Sequence, residues 1–245
     1  MDVQLKSYKK DFEYSYSLGV FPTLELINNK REEVLMVLLS SSGKENEGVK
    51  KIIDLCNRHN IQVQINDKAI NRISKKENNY AVGVFKKYKQ KLDNNRNHIV
   101  LVNPSDMGNL GTIIRTVLGF GIKDLAIIRP GVDIFDPKAI RASMGAVFKL
   151  SFQYFDDFNS YSNTYKNDIY TFMLNAKKSL PEIHTDLNKH FSLVFGNEGS
   201  GLGDEFKDIG TSVIIPHSNE IDSLNLSIAV GIATYEFTKN LEILS

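Results

Sequence analysis

The second half of the chain alternates short apolar runs with segments of helical spacing, and this pattern limits the possible folds more than any other feature. Buried strands are predicted at 99–102, 125–128, 147–155, 169–174, 191–195 and 213–215, and helices at 110–120 and 223–240. Strands alternating with helices favour a largely parallel sheet covered on both faces. We therefore predict an α/β fold whose ligands bind beyond the carboxyl ends of the strands.

The first half predicts a smaller α/β module. Helices are expected near Pro22, at 47–59, and in a short stretch capped by Asp67, with strands at 34–39, 61–65 and 80–85. The polar stretch 86–97 contains almost no apolar residue and is the best linker candidate. We predict domains at 1–90 and 98–245, joined by a linker at 91–97.

The formal net charge of +1 hides a difference between the two halves. Residues 1–97 contain 18 Lys and Arg against 12 Asp and Glu, a net charge of +6; residues 98–245 contain 12 against 17, a net charge of −5. A basic module beside an acidic one is typical of a protein that holds nucleic acid. A solvated, lysine-rich surface explains the charge equally well.

Several classes of protein do not fit this composition. No apolar run is long enough to cross a bilayer, and the first 14 residues lack the apolar stretch of a secretion signal. The single cysteine, Cys56, is predicted at a half-buried helix position, and the five histidines lack metal-ligand spacing. We expect a cytoplasmic protein with no membrane association and no bound metal.

A glycine-rich stretch follows the predicted strand at 191–195. Gly196, Gly199 and Gly201 surround Glu198, so side chains do not crowd the turn and backbone amides stay free to meet a ligand. An ordinary tight turn explains such a stretch about as often. Glu198 has three open roles: an acid or base, a partner for an arginine, or an acceptor for amides of its own turn. Local structure favours the last.

Two further loops follow strand ends. The loop at 103–111 leads into a helix with Asn109 in its first turn and Arg115 two turns on, where a guanidinium can reach a phosphate or simply lie on the surface. In the loop at 214–227, Asp222 and Ser223 are the predicted helix caps. Ser223, Asn225 and Ser227 supply more hydrogen-bonding groups than a cap needs. An apolar stripe follows, whose spacing favours core packing: Leu224, Ile228, Ile232 and Tyr235.

Together these loops resemble the SpoU/TrmH family of RNA ribose 2′-O-methyltransferases, within the SPOUT superfamily. The matching stretches, in family order, are 108–116, 137–148, 195–202, and 215–216 with 223–227. They cover the second half of the chain. The first half is similar, more loosely, to the ribosomal-protein-L30e-like RNA-binding domain that many members carry.

The resemblance implies an S-adenosyl-L-methionine-dependent homodimer whose SPOUT domain contains a deep trefoil knot, with RNA as partner. By family position, Gly196, Ile215 and Leu224 would hold the cofactor. The positions assigned to catalysis and to ribose or phosphate placement are Asn109, Arg115, Glu198, Ser223 and Asn225. An arginine stays protonated, so we expect Arg115 to clamp a phosphate rather than act as a base.

The chain departs from the family pattern in two places. Met107 stands where many members have proline, and His217 and Asn219 replace the usual methionine and glycine. Ribosomal RNA of the large subunit is the favoured substrate, because such appended modules read folded RNA shape. Three alternatives are a transfer-RNA 2′-O-methyltransferase, a non-catalytic RNA-binding or ribosome-assembly factor, and a nucleotide-binding oxidoreductase. The last lacks a fitting G-x-G-x-x-G.

Overall fold

The computed structural model describes residues 5–74, 79–184, 186 and 188–241. The chain forms two units. One comprises Met1–Tyr88 with Asp133–Lys149, and the other Lys89–Val132 with Leu150–Ser245. The inclusion of Asp133–Lys149 in the first unit is not anticipated by the sequence, because its pattern does not differ from that of its neighbours. The domain limits predicted from the sequence stay a prediction.

The first unit is a four-stranded sheet with helices on both faces. Its strands are β1 (Tyr14–Leu18), β2 (Val34–Leu39), β3 (Val63–Ile65) and β4 (Ala81–Lys86), in the order β1-β4-β2-β3. Its helices include α1 (Val20–Lys30), α2 (Glu47–Arg58) and α3 (Asp67–Ile73). Only β2 and β3 pair in parallel; β4 is antiparallel to both of its neighbours. Strand β1 is absent from the sequence prediction, since its serines interrupt the apolar pattern.

Two predictions in this unit are wrong in detail. Cys56 is fully buried rather than half-buried, and burial raises the pKa of its thiol to about 11. Asn66, not Asp67, caps α3 by accepting a hydrogen bond from the amide of Ala69. The Asp67 carboxylate instead accepts from the Ser40 hydroxyl at 2.7 Å.

The segment Asp133–Lys149 is held within the first unit by polar and aromatic contacts. It contains helix α5 (Pro137–Ala142) and a short 3-10 helix, Ala146–Lys149. The Ser15 hydroxyl donates to the Phe135 carbonyl at 2.5 Å, and Lys149 pairs with Glu25 at 2.7 Å. Hydrogen bonding of the buried Ser15 offsets the cost of removing its hydroxyl from water.

The second unit is a fully parallel seven-stranded sheet, as the sequence predicts for an α/β fold. The strands are β5 (His98–Val102), β6 (Asp124–Ile128), β7 (Ser151–Phe155), β8 (Asp168–Phe172), β9 (Lys178–Ser179), β10 (Phe191–Phe195) and β11 (Thr211–Ile214). Their order is β7-β6-β5-β10-β8-β11-β9. The helices are α4 (Met107–Gly119), α6 (Phe158–Thr164) and α7 (Leu226–Thr238).

Three elements differ from their predicted bounds. The strand predicted at 147–155 is a 3-10 helix followed by β7, because a strand cannot continue through the helical turns of Ala146–Lys149. The helix predicted at 223–240 begins only at Leu226. Helix α4 begins three residues earlier than predicted, since the Asp106 side chain caps it through the amide of Asn109. The parts of the chain described here include no helix long and apolar enough to span a membrane.

Candidate functional site

The three loops singled out by their sequence meet at one edge of the second unit. They follow β5, β10 and β11, and parallel strands direct their carboxyl ends to the same side of a sheet. Strands β5 and β10 are hydrogen-bonded neighbours, although their loops are more than ninety residues apart in the chain. The fold therefore assembles polar groups that the sequence keeps separate.

The loop after β10 is a closed turn that only glycine permits at its first position. A Cβ on Gly196 would lie 2.1 Å from the carbonyl carbon of Gly201, which excludes any side chain there. The amide of Gly201 donates to the Asn197 carbonyl at 2.9 Å, and Gly201 itself has a left-handed φ of 68°. The turn thus folds back on its own backbone.

Asn197 fixes this turn and was not assigned a role from the sequence. Its side-chain oxygen accepts from the amides of Gly199 at 2.9 Å and Ser200 at 3.2 Å. Its side-chain nitrogen donates to the Asn103 carbonyl at 2.8 Å, which joins the turn to the loop after β5. The sequence signal was present, since asparagine commonly bonds backbone amides in turns.

The Glu198 carboxylate binds the loop after β5 rather than the amides of its own turn alone. It accepts from the Ser105 hydroxyl at 2.6 Å, from the Ser105 amide at 3.0 Å and from the Asp106 amide at 3.1 Å. Burial works against ionisation, but these donors outweigh it and hold the pKa of Glu198 below its ordinary value. Glu198 is therefore a charged anchor between two loops.

Asn109 and Asn225 extend this network to the third loop. The side-chain nitrogen of Asn109 lies 3.4 Å from Glu198, and that of Asn225 donates to the Asn109 side-chain oxygen at 3.2 Å. Asn225 also caps α7, accepting from the amide and the hydroxyl of Ser227 at 2.9 and 2.6 Å. The caps predicted at Asp222 and Ser223 are wrong, because α7 begins after both residues.

A cavity of about 370 Å³ opens beside this network. All three residues expected to hold a cofactor, Gly196, Ile215 and Leu224, line it. Its walls are mostly apolar, with Phe172, Phe195, Leu202 and Leu226, and its polar lining includes Asn175, Glu198, Ser200, His217 and Ser223. Its volume falls within the range of ordinary small-molecule sites, about 300–1,000 Å³.

Two of the expected site residues stand apart from the hydrogen-bond network. Ser223 lines the cavity but makes no side-chain hydrogen bond within the described residues. Arg115 is exposed on α4 and is not among the residues lining the cavity. The structure therefore brings Asn109, Glu198 and Asn225 together and leaves Arg115 outside their contacts.

His217 is the one imidazole in the cavity lining within the described part of the chain. Its Nδ1 lies 2.8 Å from the Ile215 carbonyl, so a neutral ring carries its proton on Nδ1 and presents Nε2 as an acceptor. Among the described residues, no group of three or more His, Cys, Asp or Glu is placed to hold a metal ion.

The sequence model described as the SpoU rRNA Methylase family matches residues 96–235. The matched segment contains the three loops, the cavity and the hydrogen-bond network. The chain belongs to the SpoU rRNA methylase family. The family membership and the parallel-sheet fold class expected from the motifs are thus confirmed.

Two curated relatives and one solved structure illustrate the similarity of this SpoU-family chain. An uncharacterized tRNA/rRNA methyltransferase of Synechocystis is 32% identical over 142 residues, covering 56% of this chain and 51% of that protein. The 23S rRNA (adenosine(1067)-2′-O)-methyltransferase of Streptomyces azureus is 27% identical over 197 residues, covering 76% and 73%. An AdoMet-bound rRNA methyltransferase from Sinorhizobium meliloti is 25% identical with a TM-score of 0.78, covering 95% and 89%. The chain thus spans about half of the first relative.

Proposed function

We propose that the protein transfers the methyl group of S-adenosyl-L-methionine to a ribose 2′-hydroxyl of structured RNA. The observation that carries this proposal is the single cavity lined by Gly196, Ile215 and Leu224, directly beside the loops tied by Glu198. Family membership and the AdoMet-bound neighbour support the same chemistry.

The cavity suits the proposed cofactor. Its apolar walls match a purine ring and a methylene chain, while Gly196, Ile215 and Leu224 offer backbone groups at strand ends for its polar atoms. When bound there, S-adenosylmethionine supplies an electrophilic methyl group on a positively charged sulfur. The ionised carboxylate of Glu198 lines the same cavity and favours a cation.

The protein's own residues would position the RNA and stabilise charge. Asn225 and Asn109 are held by hydrogen bonds and present amide groups of fixed orientation, and Ser223 offers a hydroxyl at the cavity wall. Arg115 would bind a phosphate and stabilise the alkoxide that forms as the hydroxyl loses its proton to phosphate or water. Such positioning contributes on the order of 7–11 kcal/mol to lowering a reaction barrier.

Ribosomal RNA is the substrate that we favour. The alignment with the Streptomyces azureus 23S rRNA enzyme covers 76% of this chain, so it reaches beyond the 140-residue family segment. The basic first unit suits recognition of folded RNA. Transfer RNA is the second candidate, because the Synechocystis relative is named for both classes. The L30e-like identity of the first unit and the trefoil knot stay predictions, as does a cytoplasmic location.

A homodimer is the proposed assembly. The stripe expected to pack in the core is exposed instead: Ile228, Ile232 and Tyr235 are 53%, 40% and 55% exposed on α7. An unpartnered apolar face of this kind favours association with a second copy. Arg115 lies on α4, the helix that packs beside α7, so a partner seated on the stripe would lie near it.

Two measurements test the proposed function. Calorimetric titration with S-adenosylmethionine should give saturable binding, which Gly196→Val abolishes. Mapping of 2′-O-methylated positions in RNA from a deletion strain and its parent should reveal a position lost on deletion and restored by the gene. Absence of cofactor binding by the intact protein would overturn the proposal in favour of a non-catalytic RNA-binding factor.

A further inference from the structure

The second unit contains another cavity, of about 510 Å³, whose lining shares no residue with the cofactor cavity. It is formed by residues 89–91, by Arg129 after β6, and by residues 152–154 of β7. None of these residues belongs to the three loops of the methyl-transfer site. The cavity therefore requires an explanation of its own.

The structure holds the two lysines of this cavity beside an edge strand. Strand β7 stands at one end of the sheet order. The Gln153 side-chain oxygen accepts from the Leu92 amide at 3.3 Å and from the Tyr165 hydroxyl at 3.0 Å, and Leu92 is buried. Because the chain is anchored at Leu92, the exposed Lys89 and Lys91 are kept close to the strand.

The third cation is oriented by an aromatic ring. The guanidinium carbon of Arg129 lies 4.9 Å from the centre of the Tyr154 ring, and the Tyr154 hydroxyl donates to the Val132 carbonyl at 2.9 Å. A guanidinium over a ring is attracted to it without losing its charge. Arg129 also pairs with Asp156 at 3.4 Å, but the Asp156 side chain is 92% exposed, and such surface pairs are weak.

The electrostatic character of the cavity favours a polyanion. Its lining contains three cations and no carboxylate. Neither Lys89 nor Lys91 forms a salt bridge with any residue that the structure describes. This concentration of positive charge lies in the half of the sequence whose total is acidic or in the linker before it, so overall composition does not account for it.

We propose that this groove, Lys89, Lys91 and Arg129 with Tyr154, binds the phosphate backbone of the RNA substrate outside the methyl-transfer site. The inference rests on the proposed function for the identity of the RNA. Lysines neutralise phosphates and release counterions, and a ring-supported guanidinium suits bidentate phosphate contact. The groove adds affinity and fixes the RNA's orientation without reading its bases.

The test compares two double variants that remove equal charge. Lys89→Ala/Lys91→Ala empties the groove of its lysines, and Lys123→Ala/Lys166→Ala removes two exposed lysines near the amino ends of β6 and β8. The probe is a labelled single-stranded RNA of about 20 nucleotides, long enough to span several phosphate contacts. Binding is measured by fluorescence anisotropy at several salt concentrations.

We expect the groove variant alone to lower the slope of log affinity against log salt by about 1.4, or about 0.7 for each phosphate contact. That slope corresponds to about 25-fold weaker binding at 0.1 M salt relative to its effect at 1 M. Arg129→Gln should weaken binding further. Equal losses in the two double variants would overturn the proposal, as would equal competition by a polyglutamate peptide of matched charge, which would indicate an acidic protein partner.

Titration with S-adenosylmethionine separates this inference from the proposed function. The groove variant should bind the cofactor with unchanged affinity, because the two cavities share no residue. If the unaltered protein fails to bind the cofactor yet loses RNA affinity in the groove variant, the proposed reaction fails and the phosphate groove stands.

Discussion

The hydroxyl of Ser105 donates a 2.6 Å hydrogen bond to the carboxylate of Glu198, and this contact joins two loops that lie 93 residues apart in the chain. The Ser105 and Asp106 amides donate to the same carboxylate. Three donors on one ionised group make a stronger joint than a neutral hydrogen bond would. The position of the first loop beside the cavity therefore depends on the charge of Glu198.

Glu198→Gln should separate the two loops. Its amide nitrogen is a donor and faces other donors, so part of the contact with Ser105 and Asp106 is lost and methyl transfer falls on the order of tenfold or more. Ser105→Ala, which keeps both amide donors, should have a smaller effect. Single-turnover methylation of RNA is the measurement, and equal activity of Glu198→Gln and the parent would contradict the anchoring role.

The stability of the protein should depend on Glu198 at low pH. Because the folded-state pKa of Glu198 lies below its ordinary value, its contribution is present above the unfolded-state pKa of about 4.3 and is lost as pH falls through the folded-state pKa. The difference in unfolding free energy between the parent and Glu198→Gln should therefore shrink below about pH 4.3. Urea denaturation at a series of pH values checks this, and a constant difference would exclude the linkage.

Gly196→Ala and Gly199→Ala form a matched pair. A Cβ at position 196 would lie 2.1 Å from the Gly201 backbone, whereas one at 199 would meet only the Asn197 side chain at an ordinary 3.5 Å. We expect Gly196→Ala to cost about 1–3 kcal/mol in unfolding free energy and to abolish S-adenosylmethionine binding. Gly199→Ala should leave both nearly unchanged. Calorimetry and thermal unfolding of the two variants provide the comparison.

Substitutions of Asn225 should separate its two contacts. Serine can still cap α7 but is too short to maintain the 3.2 Å bond to Asn109, so Asn225→Ser should lower methyl transfer with little loss of stability. Asn225→Ala should lose the cap as well, at a further cost of about 0.5–2 kcal/mol. Parallel loss of activity and stability in both variants would assign Asn225 to capping alone.

Arg115→Lys tests the proposed phosphate clamp. Lysine keeps the positive charge but lacks the planar pair of donors that binds phosphate bidentately. We expect kcat/KM for RNA to fall on the order of 10²-fold, with unchanged affinity for S-adenosylmethionine, since Arg115 does not line the cofactor cavity. Near-full activity with an unchanged pH profile would show that bidentate contact is not needed.

Ile232→Glu tests the proposed homodimer. A carboxylate in the middle of the exposed α7 stripe would have to be buried against a second copy, so the variant should sediment as a monomer. Ile65→Glu changes an equally exposed isoleucine of β3, 57% exposed, and should leave the association state unchanged. A monomeric parent protein would contradict the proposal directly.

Local pattern was sufficient for many features of the chain. The period and length of the apolar runs predicted the parallel sheet of the second unit, and the glycines at 196, 199 and 201 marked the turn beside the cavity. These features follow from interactions between residues close in sequence, such as strand burial and steric exclusion at Gly196. The motifs also indicated the family correctly.

Other features depend on contacts between distant residues. The Glu198 carboxylate has three plausible roles in the sequence, and only the approach of Ser105 identifies its partner. The cap of α7 moved from Ser223 to Asn225, and the apolar stripe of that helix proved to face outward in the single chain. The sequence by itself determined the strands, the glycine turn and the composition of the three loops. The tertiary structure decided which side chains meet, because hydrogen bonds form between atoms close in space, whatever their separation along the chain.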